Sequence, residues 1–145
     1  MQIPPEVAGL LQGIPTVGST ELVLQLLTVD ADGSPHVCLL SRAQLVADDS
    51  AVRVVVYAGG TAANLDRDGR ATLVVVTDGA AYYLHLAVDR REATDSLVGY
   101  TLAHRRYKRD AVPGSELRPM TYHVTPEMPG SEDWPTTRQL LARLA

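Results

Sequence analysis

Apolar residues fall into short stretches separated by polar breaks, and the spacing inside each stretch predicts its backbone. Pro5 suits a first helical turn, and Val7, Leu10, Leu11 and Ile14 recur at helical spacing until Gly13 and Pro15 interrupt them, which predicts a short amphipathic helix over 5–13. From Glu21 to Val29 the chain is almost continuously apolar. Asp30-Ala31-Asp32-Gly33-Ser34 reads as a turn, and Pro35 to Ala47 is apolar and β-branched enough to return as a second strand. After Asp48-Asp49-Ser50, residues Val52 to Tyr57 predict a third strand, interrupted by Arg53. Gly59-Gly60 frees the backbone, Thr61 is suited to cap a helix, and Ala62 to Arg67 are helix formers that stop at Gly69.

The second half continues the alternation. Ala71 to Thr77 predicts a fourth strand, and Asp78-Gly79 between two apolar runs is a hairpin signal that leads into Ala80 to Val88. Beyond Asp89 the apolar positions Leu97, Val98, Leu102 and Ala103 recur at three to four residues, so a helix is predicted over 94–108 with Thr94 or Asp95 as its cap. Met120 to Thr125 alternates like a sixth strand, Pro126 to Gly130 is a loop, and Thr136 to Leu144 closes the chain as a helix. The predicted class is mainly β with few helices: one domain over 1–145, a six-stranded antiparallel split barrel with short peripheral helices.

Composition adds limits to this picture. The chain has 145 residues, 46% hydrophobic and 21% charged with a formal net charge of -4, an ordinary balance for a globular domain with a single core. The acidic excess argues against nucleic-acid binding, which rests on clustered Lys and Arg. The one basic cluster, Arg105-Arg106-Tyr107-Lys108-Arg109, is expected to sit in the last helical turn, where the macrodipole favours cations. A single cysteine, Cys38, excludes an internal disulfide. Met1 to Glu6 has no basic stretch or apolar core, and no apolar run reaches the ~18 residues of a membrane helix, so no membrane association and a cytoplasmic setting are expected. The four histidines show no metal-ligand spacing, and no metal is expected. With no phenylalanine, the core is expected to be Val, Leu and Ala, and Trp134 to dock the last helix.

The stretch Asp32-Gly33-Ser34-Pro35-His36 followed by an apolar strand, and then Thr61-Ala62-Ala63-Asn64-Leu65 with Asp66-Arg67-Asp68-Gly69-Arg70-Ala71-Thr72-Leu73, resembles the pyridoxamine 5'-phosphate oxidase-like FMN-binding split-barrel superfamily over residues 20–90. The resemblance implies a homodimer holding FMN in two equivalent grooves between subunits, with the phosphate near the strand-three loop and strand two. The chain departs from that pattern where the family carries Arg and Lys at the ends of an Arg-x-x-Leu-Leu-Lys strand: here the residues are His36-Val37-Cys38-Leu39-Leu40-Ser41. Gly59-Gly60 likewise stands where relatives have a Ser followed by a basic residue.

Losing two or three cations weakens a phosphate site by several kcal/mol, because a charge-assisted hydrogen bond contributes roughly twice a neutral one. Gly59, Gly60 and the following amides compensate in part as a nest at a helix start. The candidate cofactor-binding residues are His36, Ser41, Arg42, Gly60, Thr61, Asn64 and Arg70, with Arg42 and Arg70 as sources of charge. Tyr82, Tyr83 and Tyr100 are expected to be packing residues, with stacking on a flavin as the other use. No residue stands out as catalytic. Two readings remain open: an FMN-dependent oxidoreductase of unknown substrate, or a non-catalytic split barrel that has lost flavin and binds another small ligand.

Overall fold

The computed structural model describes residues 2–145. Its elements in chain order are α1 (Pro5–Ala8), β1 (Thr20–Leu22), β2 (Leu24–Val29), β3 (Pro35–Leu40), β4 (Leu45–Ala47), β5 (Ala51–Tyr57), α2 (Gly60–Asp68), β6 (Arg70–Thr77), β7 (Ala80–Ala93), β8 (Leu97–Asp110), β9 (Thr121–His123), α3 (Met128–Ser131) and α4 (Trp134–Arg143). Seven strands form one antiparallel sheet in the order β3-β2-β6-β7-β8-β5-β4, and β1 pairs with β9 in a separate ladder. The two edge strands, β3 and β4, are joined only through Ser41 and a 3-10 turn at Arg42–Gln44. So short a link holds the two ends of the sheet near one another, and the sheet curls into a half-barrel.

The inward positions of the strands supply the core: Leu24, Leu26, Leu40, Leu45, Val54, Leu73, Val75, Leu84 and Leu102 are buried together around Tyr100. Tyr100 also anchors α2, because its hydroxyl lies 2.9 Å from Asp66 Oδ1 and 3.2 Å from the Ala62 carbonyl oxygen. Burial, and then the bond to Asp66, push this phenol up to about 12, so it stays protonated as a donor. Leu140 and Leu141 of α4 pack on Val55 and Leu97, and Trp134 packs on Ala43 and Val124, so the last helix docks through Trp134 as the sequence predicts. Asp78 and Gly79 both have positive φ, 55° and 75°, the turn that the Asp-Gly signal between β6 and β7 requires.

Three expectations need correction. The main sheet has seven strands where six were expected, and the segment 121–123 pairs with β1 outside it. The lead helix is a single turn over Pro5–Ala8. The segment read as a helix over 94–108 is β8, a 14-residue strand paired with β5 on one side and β7 on the other. Thr94 is no helix cap: its Oγ1 accepts from the Leu97 N–H at 3.3 Å in the β7–β8 turn. Arg105 to Arg109 therefore lie along a strand, and a helix dipole plays no part in their placement.

Candidate functional site

The start of α2 meets the end of β2 and the start of β3. No side chain caps α2: Gly59 precedes it, Ala63 N–H is the first to bond within the helix, at 2.9 Å to the Gly59 carbonyl, and the amides of Gly60, Thr61 and Ala62 have no intrahelical acceptor. Thr61, expected as the cap, is instead the second helical residue. Its Oγ1 lies 3.1 Å from His36 Nε2, and His36 Nδ1 lies 3.2 Å from Asp30 Oδ1. Nδ1–H donates to the Asp30 carboxylate, and Nε2 meets the Thr61 hydroxyl oxygen on the other side of the ring.

Asn64 locks this chain of contacts, donating from Nδ2 to Thr28 Oγ1 at 3.0 Å and to Asp30 Oδ1 at 2.8 Å. Arg67 donates to Asn64 Oδ1 and to the Val29 carbonyl. A Cβ on Gly60 would come within 3.1 Å of His36 Cε1, so glycine lets the imidazole lie against the helix start. The resulting arrangement offers a hydroxyl and three amide donors to an anion.

On the outer face of the sheet a groove of about 570 Å³ runs across β2, β6, β7 and β8, within the usual size of a ligand pocket. Leu27, Val29 and Pro35 give it an apolar side, and Arg70, Arg105 and Arg106 give it a cationic one. Arg70 pairs with Asp68 at 3.2 Å. His85 shares a 3.3 Å contact with Thr72 Oγ1, and burial, then the charges of Arg106 and His104, hold its imidazole below the ordinary histidine value. Among the described residues no group of three or more His, Cys, Asp and Glu could hold a metal ion, and no helix is long and apolar enough to cross a membrane.

No protein-family model matches the chain, and no curated protein matches it in sequence. Solved structures do match. A Lactobacillus delbrueckii protein provisionally assigned as a pyridoxamine 5'-phosphate oxidase superposes with a TM-score of 0.58 at 18% identity, over 74% of this chain and 93% of that one. The styrene monooxygenase flavin reductase of Pseudomonas putida S12 gives a TM-score of 0.58 at 10% identity, over 74% and 88%. A variant of the Group A Streptococcus protein HupZ gives 0.55 at 18% identity, over 74% and 98%. The chain has the pyridoxamine 5'-phosphate oxidase-like split-barrel fold.

Within this split barrel the candidate residues separate into three places. His36, Gly60, Thr61 and Asn64 come together at the start of α2, and Arg70 lies on the groove. Ser41 and Arg42 hold other partners. Ser41 Oγ donates to Glu132 Oε1 at 2.7 Å, and the same carboxylate oxygen accepts from Trp134 Nε1 at 2.9 Å. Arg42 donates from Nε and Nη2 to both oxygens of Glu21, at 3.2 and 2.9 Å, and from Nη1 to the carbonyls of Gln12 and Gly13. The bond to Glu21 is the main reason its guanidinium is held above the ordinary arginine value.

Sequence reading missed Asp30, assigned to a turn, and His85 and Arg106, which meet only through strand register. Asp30 did leave a signal. It stands two residues after Thr28, just past the end of β2, and His36 is the cross-strand partner of Thr28. Tyr82 and Tyr100 are buried packing residues, and Tyr83 donates to Asp110 at 2.8 Å.

Proposed function

We propose that this split barrel is an FMN-dependent oxidoreductase that acts as a homodimer in the cytoplasm, with the cofactor phosphate received at the start of α2. The observation that carries this reading is the uncapped helix start at Gly59, Gly60 and Thr61 beside edge strand β3. Three amide donors and the positive end of the helix dipole favour an anion there. The Thr61 hydroxyl and His36 Nε2 stand next to them, and Gly59 and Gly60 present no side chain in the way. These groups fit a phosphate through the main chain, without the cations of the family pattern. FMN, when bound, supplies the hydride-transfer chemistry.

The chain's own residues bind and orient. Asn64 and Asp30 fix the His36 ring, and that ring in turn aims the Thr61 hydroxyl. Val37 and Leu39, 53% and 59% exposed on the outward side of β3, form an apolar strip that a second copy would cover. The flavin reductase and the oxidase among the similar structures support the chemical class.

A titration of the purified protein with FMN, followed by flavin fluorescence, tests the reading. Saturable micromolar binding that weakens about tenfold in Thr61→Val, the loss of roughly one charge-assisted hydrogen bond, is the expected result. A second reading, a split barrel without flavin that binds another small ligand, is favoured by the Asp30 carboxylate at the same site. No FMN binding in the hundreds of micromolar would select it.

A further inference from the structure

We propose that the groove across β2, β6, β7 and β8 binds an amphiphilic anion, a carboxylate or phosphate carried on an apolar body, with its charged head at Arg105 and Arg106 and not at the start of α2. Strand register carries the argument. Leu27 is the partner of Thr72, Thr72 of His85, and His85 of Arg106, so these four side chains stand in one row across four strands on one face of the sheet. Three interstrand spacings of about 4.8 Å make the row about 14 Å long.

The row changes character along its length. Leu27, flanked by Val29 and Pro35, is apolar; Thr72 and His85 are neutral hydrogen-bonding groups in contact with each other; Arg106 is a cation with Arg105 beside it. Arg105 and Arg106 make no ion pair among the described residues, and the single carboxylate lining the groove, Asp68, pairs with Arg70. The excess of positive charge contributes, after burial, to the lowered His85 value. A ligand would lie with its anionic head at Arg105 and Arg106 and its apolar body over Leu27 and Val29. This inference does not depend on flavin, which enters the test as a competitor.

The test is calorimetric titration with decanoate, with decanol as its uncharged counterpart and inorganic phosphate as the bare anion. It uses the native protein and the exposed double variant Arg105→Gln/Arg106→Gln, with thermal melts to confirm that both are folded. Saturable decanoate binding is expected, weakened at least about tenfold in the double variant, which removes both cationic contacts. Decanol and phosphate should each bind more weakly than decanoate, and decanoate should raise the His85 titration midpoint followed by NMR. Equal decanoate affinity in the two proteins, phosphate binding as tightly as decanoate, or no saturable heat at several millimolar would overturn the proposal. So would competitive displacement of decanoate by FMN whose own affinity falls equally in the double variant, because the groove would then be the cofactor site.

Discussion

Arg42, at the turn between β3 and β4, gives its guanidinium to Glu21 and to two carbonyls of the N-terminal segment, and its side chain is 17% exposed. Arg105 and Arg106, in the polar half of β8, stand at the open groove without an ion-pair partner among the described residues. Both regions are cationic in sequence. The difference teaches that a cation is available to a ligand according to the carboxylates and carbonyls the fold places around it, and a motif alignment does not report those. Arg42 ties the N-terminal segment to the barrel; Arg106 makes no such ion pair among the described residues.

The sharpest way to break this comparison is Arg42→Ala. It leaves the half-buried Glu21 carboxylate without its partner and frees two carbonyls, so a loss of about 3 kcal/mol in urea unfolding is expected. A loss below about 0.5 kcal/mol, the size of an ordinary surface change, would mean that Arg42 holds nothing together. Next in size is Tyr100→Phe, which removes a buried donor from Asp66 and from the Ala62 carbonyl; about 1–2 kcal/mol is expected, read from the same unfolding curves. An unchanged midpoint would show that α2 is held by its apolar contacts alone.

A smaller, pH-linked effect is expected at the groove. Because His85 titrates lower in the folded protein than the ordinary value near 6.5, folding favours its neutral ring. The unfolded chain then binds more protons in this range. Stability is full above about pH 6.5 and falls as the pH drops from there toward the folded value. The melting temperature should decline more between pH 7.5 and 5.5 in the native protein than in His85→Gln, and equal declines would remove His85 from the account. Smallest of all, Arg106→Gln should change stability by less than about 0.5 kcal/mol, in keeping with an exposed cation outside any ion pair among the described residues.

Much of the fold was legible because local signals agreed with the global pattern: Asp78-Gly79 is the β6–β7 turn, Gly69 with φ 73° ends α2, and the apolar runs of β2, β5 and β6 fill the core. β8 was not. Leu97, Val98, Leu102 and Ala103 fit helical spacing because the first four residues of the strand are buried whichever face they take, between β5 and β7, which hides its alternation. Its outer half, Arg105 to Asp110, is exposed on both faces and carries no apolar period at all.

The site divides in the same way. Gly60, Thr61 and Asn64 are close in sequence, and His36 reaches them through one hairpin register, so their grouping could be read. The capture of Ser41 by Glu132 spans 91 residues and that of Arg42 by Glu21 spans 21, through contacts that no spacing rule encodes.

The most direct test of the central claim, that a flavin phosphate is received by the main chain at the start of α2, is a two-dimensional amide NMR titration with FMN, repeated with riboflavin, which lacks the phosphate. The account predicts that FMN moves the Gly60, Thr61 and Ala62 amides together and that riboflavin leaves those three nearly in place. Shifts confined to the groove around Arg70 and Arg106, or equal shifts at α2 with both flavins, would contradict it.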